Sequence, residues 1–177
     1  QPQEHELPAR MYSISLGAEQ EAHQAALLAI NDGWVSAIVI TSPSPLSQRV
    51  HEAFEREWSR AAGELRRLVF AGGPEDAPVI KEKLAAMQGD MVFVALDRTA
   101  MLAVRPYISG TLPVYTTSLS VDPRADATVN LDLEGVRYVD MPWFIQPDHP
   151  AVMVYPAPRS AMSVEQERLY AFGIDAY

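Results

Sequence analysis

Apolar and polar positions along the first two thirds of this chain follow a rhythm whose period changes again and again. In MYSISL (11–16) apolar residues fall at alternate positions, the period of a strand. From Ala18 to Asp32 the period lengthens to that of a helix: Ala18, Ala22, Ala25, Ala26, Ala29 and Ile30 share one stripe, and Gly33 stands at the C-terminal cap position. WVSAIVI (34–40) is a near-continuous β-rich run, as expected for a strand buried on both faces. TSPSP follows, with Ser44 predicted as N-cap and Pro45 at the first helical position. That helix extends to about Ala62, its apolar side formed by Leu46, Val50, Phe54, Trp58 and Ala61.

The same unit then recurs. RRLVFA (66–71) reads as a strand, GGPED as a turn and Ala77–Met87 as a helix. MVFVAL (91–96) is another buried strand, followed by a short helix over Arg98–Val104 and a short strand over Leu112–Tyr115. Strands alternating with helices predict βαβ crossovers and a mainly parallel sheet covered on both faces: an α/β, Rossmann-like fold. From Ser118 the alternation stops. SLSVDPRADATVNLDLEG reads as a polar connection with a short strand at 129–133. VRYVDMPWFIQPDHP (136–150) then packs a strand, a Met-Pro-Trp corner and a proline-flanked turn into one stretch, before an apolar helix around Pro150–Tyr155.

Ser163 and Gln166 form a capping box that opens the last helix. On it Leu169, Phe172, Gly173 and Ala176 make one stripe, and Tyr170, Ile174 and Tyr177 the adjacent one. Burying a large apolar side chain is worth about 1.5–3 kcal/mol, so a face this wide calls for a partner surface. Either the helix packs on the open face of the sheet, or its partner belongs to a longer polypeptide; the second is the simpler expectation.

Composition removes function classes rather than adding one. A length of 177 residues suits one domain. Fourteen basic against twenty-three acidic residues give a formal charge of −9, the wrong sign for non-specific contact with nucleic acid or anionic membranes. The sequence contains no cysteine, which excludes disulfides, thiolate metal sites and cysteine nucleophiles. No apolar run approaches the ~18 residues of a membrane span. The opening QPQEHELPAR is polar and acidic, unlike the basic start of a signal peptide, so a mature protein or an excised piece is expected.

Candidate chemistry is sparse. Gly72-Gly73 lies between a strand and a helix, where phosphate loops occur, but Glu75 and Asp76 in the first turn already answer the helix dipole and would repel phosphate. Thr41, Ser42 and Ser44 stand at the carboxyl end of a central strand and Asp97 at the end of the next, the places where open α/β sheets bind ligands. Thr41, Ser42 and Asp97 are therefore candidate contacts to a small polar ligand, with helix capping as the competing role. His5, His23, His51 and His149 have no metal-ligand spacing, and His23 and His51 are expected on polar helix faces. No G-x-S-x-G elbow is present. Asp140, Asp148 and His149 invite an acid/base reading, but adjacent side chains diverge; Asp148 is expected to cap the helix that Pro150 begins.

Three dispersed stretches, PSPLSQRVHEAFEREW (43–58), LEGVRYVDMPWFIQPDHPAVMVYP (133–156) and ERLYAFGIDAY (167–177), together resemble the C-terminal domain of the penicillin-binding-protein activator lipoproteins of Gram-negative bacteria, the LpoA/LppC type. The first matches at Leu46, Gln48, Arg49, Val50, Ala53, Phe54 and Trp58, with Ser47 where the family usually has glycine. The last matches at Arg168, Leu169, Tyr170, Ala171, Gly173, Asp175 and Ala176. The resemblance implies one lobe of a type I periplasmic-binding-protein-like fold, in which two Rossmann-like lobes are joined by three crossovers. It divides the chain into a polar lead-in (1–10), the lobe (11–135), and a return strand with crossover helices toward a first lobe outside this chain (136–177). It also implies a non-enzymatic regulator of peptidoglycan synthesis on the periplasmic side of the outer membrane, without cofactor or metal. Its partner would be a class A penicillin-binding protein, and it would meet the membrane only through a lipid anchor outside this chain. The alternative is a solute-binding or sensor lobe that recognises an amino acid or muropeptide through Thr41, Ser42 or Asp97.

Overall fold

The structure, a computed structural model, describes residues 17–61, 63–73, 76–156, 158 and 160–175. The strand expected at 11–16 lies outside them. Five strands build one sheet: β1 (Ser36–Thr41), β2 (Glu64–Val69), β3 (Met91–Ala95), β4 (Val114–Thr117) and β5 (Val136–Val139). Every pairing is parallel and the order is β2-β1-β3-β4-β5.

The pleat sorts the central strands into two cores. Ile38 and Ile40 of β1 join Val92 and Val94 of β3 on one face, under α3 (Asp76–Ala86) and α4 (Arg98–Val104). Ala37 and Val39 join Met91, Phe93 and Ala95 on the other, under α1 (Ala18–Asn31) and α2 (Pro45–Arg60). Burial on both faces is why these strands read as continuous apolar runs.

Side-chain size sets how each helix sits. The inward stripe of α1 is all alanine, Ala18, Ala22, Ala25, Ala26 and Ala29, so the helix backbone can lie close to α2 and the sheet. α2 instead brings Phe54, stacked between Trp58 and Phe93 with ring centroids 5.5 and 4.1 Å apart. Ser44 caps α2, its hydroxyl oxygen accepting from the Ser47 amide at 3.1 Å, and Pro45 follows inside the first turn. Gly33 leaves α1 with φ of 89°, the left-handed conformation that favours glycine.

Both outer strands carry arginines that are tied down. On β2, Arg66 binds the Gln88 carbonyl and Arg67 donates to Thr41 Oγ1 at 3.0 Å. On β5, Arg137 donates to Asp32 Oδ2 at 2.6 Å and to the Tyr115 hydroxyl at 2.9 Å. The Tyr115 hydroxyl also accepts from Trp34 Nε1 and donates to Asp32, joining the α1–β1 turn to β4 and β5.

Three expectations need correction. β2 runs two residues earlier than 66–71, because its register pairs Glu64 with Ser36. The short strand at 129–133 does not form: α5 (Ala127–Asn130) and a 3-10 turn over Leu131–Leu133 occupy the stretch. Asn130 bends this segment back, accepting from Arg98 and donating to the Asp122 carbonyl, while β5 takes the place beside β4. Leu133 is buried and Leu131 is not, so their strand-like spacing had only one core contact behind it. His51, expected on a polar helix face, is buried, because α2 turns Ser47, Val50, His51, Phe54 and Trp58 inward together.

After β5 come α6 (Pro142–Ile145), α7 (Pro150–Met153) and α8 (Val164–Asp175). The capping box forms as expected: the Ser163 hydroxyl accepts from the Gln166 amide, and the Gln166 side chain accepts from the Ser163 amide.

Candidate functional site

Leaving β1, the chain builds β2 on one side; β3, β4 and β5 then follow on the other. The reversal between β1 and β3 is the topological switch point, and open α/β sheets take ligands at the carboxyl ends of their strands there. Thr41 and Ser42 lie at that end of β1 and Asp97 just beyond the same end of β3, so the fold brings the three candidates to neighbouring strands.

Each already has a local partner. Thr41 is fully buried and its hydroxyl accepts from Arg67. The Ser42 amide donates to Ser47 Oγ at 2.8 Å, and its hydroxyl donates to Ser44 Oγ at 3.2 Å. Asp97 caps α4, accepting from the Ala100 amide at 2.9 Å. Beside Asp97 is an open cleft of about 340 Å³, lined by Phe70, Gly72, Gly73, Thr99 and Ala103.

Ser47, the departure from glycine in the resemblance, turns out to organise this corner. Its hydroxyl donates to the Ala95 carbonyl at 2.5 Å while accepting from Ser42, fastening the turn after β1 to the end of β3. Thr116 near the end of β4 and Ser120 just beyond it do the same, donating to the Val94 and Leu96 carbonyls at 2.7 Å each. Hydroxyls thus satisfy the backbone where the strands run out, in a layer that water does not reach.

The opposite end of the rim holds a charged junction. Asp140 follows β5, and no part of its side chain is exposed. Arg168 of α8 grips it with both terminal nitrogens, at 2.5 and 2.7 Å. Glu21, in the first turns of α1, lies 3.8 Å from the same guanidinium and accepts from the Ser118 amide and hydroxyl at 2.7 and 2.8 Å. Burial pushes the Glu21 carboxyl above its usual range, against the hydrogen bonds from Ser118. Burial likewise raises the Tyr138 phenol, with the Asp140 charge acting in the same sense. The Phe144 ring lies against two guanidiniums, Arg168 at 5.0 Å and Arg124 at 5.3 Å, and Arg124 pairs with Glu167 of α8.

This junction shows how the last helix is held to the lobe. α8 lies on the rim against β5 and α1, with Arg168 and Ala171 turned inward. Leu169, placed on the sequence's apolar stripe, is 64% exposed, and Ile145, Met153, Val154 and Tyr155 are exposed too. The buried face of α8 is set by a polar partner 28 positions back, which no local periodicity reports.

Asp140, Asp148 and His149 do not gather. Asp140 is buried, whereas Asp148 and His149 are exposed. His149, not Asp148, caps α7, its Nδ1 accepting from the Ala151 amide at 3.2 Å, one position later than the sequence suggested. Among the described residues no group of three or more histidines or carboxylates could hold a metal ion. Nor is any described helix long and apolar enough to cross a membrane.

Comparison with known proteins adds what the geometry alone does not give. The profile of the family described as "LppC putative lipoprotein" matches residues 1–177. The chain is 25% identical to the penicillin-binding protein activator LpoA of Vibrio antiquarius, over 93% of this chain and 32% of that protein. It is 27% identical to the LpoA of Haemophilus influenzae, over 99% of this chain and 31% of that protein. The chain thus spans about a third of the length of these curated relatives. Among solved structures, one from Chromobacterium violaceum described as "a putative branched-chain amino acid ABC transporter" superposes with a TM-score of 0.84 at 36% identity, covering 99% of this chain and 56% of that one. The C-domain of LpoA from Haemophilus influenzae, a regulator of PBP1A, shares the fold with a TM-score of 0.65 at 22% identity, over 78% of this chain and 45% of that one.

Proposed function

Since the chain belongs to the LppC lipoprotein family, we propose that it serves as part of a protein activator of a class A penicillin-binding protein, acting by contact and without chemistry of its own. The supporting observation is that relatives named penicillin-binding protein activators align over 93 to 99% of this chain. The rim is in keeping with such a role in that Asp97, Ser47 and Asp140 are taken up by capping, by a strand-end carbonyl and by pairing with Arg168. The whole protein would sit on the periplasmic side of the outer membrane, held by a lipid anchor outside this chain. Activation by contact requires the activator to bind the synthase's active state more tightly than its resting state.

The test joins a binding and a rate measurement. The chain, and the full-length protein that contains it, are immobilised and challenged with the class A synthase, and glycan polymerisation is followed with and without them. Retention of the synthase together with faster polymerisation is expected. No retention and an unchanged rate would reject the activator role.

A second reading is favoured by the cleft beside Asp97 at the switch point and by the 36% identity to the Chromobacterium violaceum protein. Here the lobe takes a small polar ligand, an amino acid or muropeptide, with Thr41, Ser42 or Asp97 at the contact. A ligand bound to the native state raises the melting temperature by mass action. A screen of amino acids and muropeptides at millimolar concentration with no shift would remove this reading.

A further inference from the structure

Both lysines of this sequence, Lys81 and Lys83, lie on α3, and both are exposed. Lys81, Leu84 and Ala85 share one face of that helix, a turn apart. Opposite this face stands the segment after α4, a 3-10 turn over Arg105–Tyr107 that leads through Ile108 to Leu112. Between the two runs an open groove of about 390 Å³, with Lys81 in its lining. Its floor is fixed, because Leu84 and Ile108 belong to the buried core, and Tyr107 and Leu112 pack against that core. The wall is fixed too: the Ser109 and Thr111 hydroxyls meet at 2.8 Å, and the Leu112 amide donates to the Ser109 carbonyl at 3.1 Å. Ala85 and Gly110 are exposed at the mouth, and a Cβ at Gly110 would meet nothing within 4 Å. The groove lies at the entry end of β4, the opposite end of the sheet from Thr41, Ser42 and Asp97.

Charge sets this groove apart from the rest of the surface. Among the described residues, ion pairs take up Arg49, Arg60, Arg66, Arg124, Arg137 and Arg168, and none reaches Lys81, Lys83 or Arg105. Arg105 donates only to neutral carbonyls, Ile108 at 3.4 Å and Glu134 at 3.2 Å, so its charge has no counter-ion there. Glu82 stands between the two lysines in sequence and pairs with neither. On a chain of formal charge −9, an acidic partner is repelled by most of the surface and drawn to positive charge that lacks a carboxylate. The apolar floor then supplies the contact that holds it, and a groove already in shape asks little ordering of the protein.

We propose that this groove docks a segment of another protein that presents an apolar side chain flanked by aspartate or glutamate. The apolar side chain rests on Leu84 and Ile108 between α3 and the Tyr107 wall, and the carboxylate faces Lys81. An anionic membrane shares the negative charge, but it meets the chain over a broad front, where the total of −9 opposes it. A single segment feels chiefly the charges within about 8–10 Å. This surface is separate from the strand-end rim, and the proposal depends on neither the activator reading nor the small-ligand reading.

The isotope-labelled chain is titrated by NMR with a short capped peptide that alternates leucine and phenylalanine with glutamate, and with the same peptide carrying glutamine instead. The glutamate peptide should move the amide signals of 81–85 and 106–112. Binding should weaken several-fold for the glutamine peptide, at high salt, and in Lys81→Glu. Ala85→Trp fills the groove from an exposed position and should abolish the shifts without lowering the melting temperature. Should that variant fail to fold, Lys81→Glu and the salt dependence still decide. Equal affinity for the two peptides, shifts confined to other parts of the chain, or none at millimolar peptide overturns the proposal. So do groove shifts with anionic lipid vesicles and not with peptide, which would make the occupant a membrane. Concentration-dependent shifts of the same amides in the chain alone, lost in Ala85→Trp, would make it a second copy and likewise overturn the proposal.

Discussion

Arg168 on α8 meets Asp140 at the end of β5 through two parallel hydrogen bonds, in a place where the carboxylate is wholly screened from water. Such a pair contributes less by its existence than by what happens when half of it is removed, because the remaining charge has no solvent to turn to. The last helix is therefore held to the lobe by charge and geometry, with Ala171 as its buried apolar contact.

Arg168→Met should cost about 3–5 kcal/mol of local stability by stranding Asp140. Because α8 is a peripheral element, that cost should appear first as detachment of the helix and not as global unfolding. Limited proteolysis within 158–175 should accelerate while β3 stays protected. The double variant Asp140→Asn/Arg168→Met should recover part of the loss, and purely additive losses would contradict a coupled pair.

The alanine stripe of α1 predicts intolerance to growth. Ala22→Leu or Ala26→Leu should destabilise by about 1–3 kcal/mol, since both positions are fully buried and the added carbons have no room. Leu28→Ala, at a position 40% exposed, should change stability much less. Denaturant midpoints at constant slope would measure both.

Gly63 lies under the Trp58 indole. A Cβ there would collide with Trp58 Nε1, and the ring cannot retreat because it stacks on Phe54 and donates to the Glu64 carbonyl at 3.0 Å. Gly63→Ala should lower the melting temperature and shift tryptophan fluorescence, whereas Gly110→Ala, with open space around it, should do neither.

Two carboxylates near the start of α1 should titrate on opposite sides of the ordinary value of 4.5. Glu19 is lowered, chiefly by its hydrogen bond from Arg49 at 2.8 Å. The stability it adds is present above that value and is lost as pH falls through its folded one. Solvent screening keeps the contribution below about 1 kcal/mol. Glu21 is raised by burial, so its contribution is complete below that value and fades as pH rises through its folded one. Side-chain carbon shifts followed by NMR should place Glu21 above Glu19; the reverse order would contradict the junction described around Arg168.

Asp97→Ala removes the cap of α4 and should cost about 0.5–2 kcal/mol, while Asp97→Ser should restore most of it. If Asp97 also contacts a ligand, the serine variant will recover stability without recovering the ligand's thermal shift. The two roles are separable in one pair of melting experiments.

The sequence was most legible where local chemistry decides. Ser44 with Pro45, Gly33, the Ser163–Gln166 box and the apolar runs of β1 and β3 all follow from neighbours a few positions away. What escaped depends on partners far along the chain. His51 looks polar on a helical wheel and is drawn inward by the width of the α2 stripe. The carboxylate of Asp140 was separated from the acid/base reading by its flanking residues, but its partner Arg168 is named by no periodicity. Thr41, Ser42 and Asp97 were placed at the right strand ends, yet which hydroxyl or amide each would engage is a property of the assembled rim. Ser47 was visible as a substitution for glycine, and its hydrogen bond to Ala95 emerges only once β1 and β3 lie side by side.

Arginines on the outer strands have a meaning beyond the bonds they make. A parallel sheet that ends in bare backbone offers a ledge on which other chains can stack, the first step toward fibrils. Here β2 ends the sheet with Arg66 and Arg67, and β5 with Arg137. A second sheet approaching either border would have to strip water from a guanidinium before it could stack. The lobe thus carries at its margins its own safeguard against clumping.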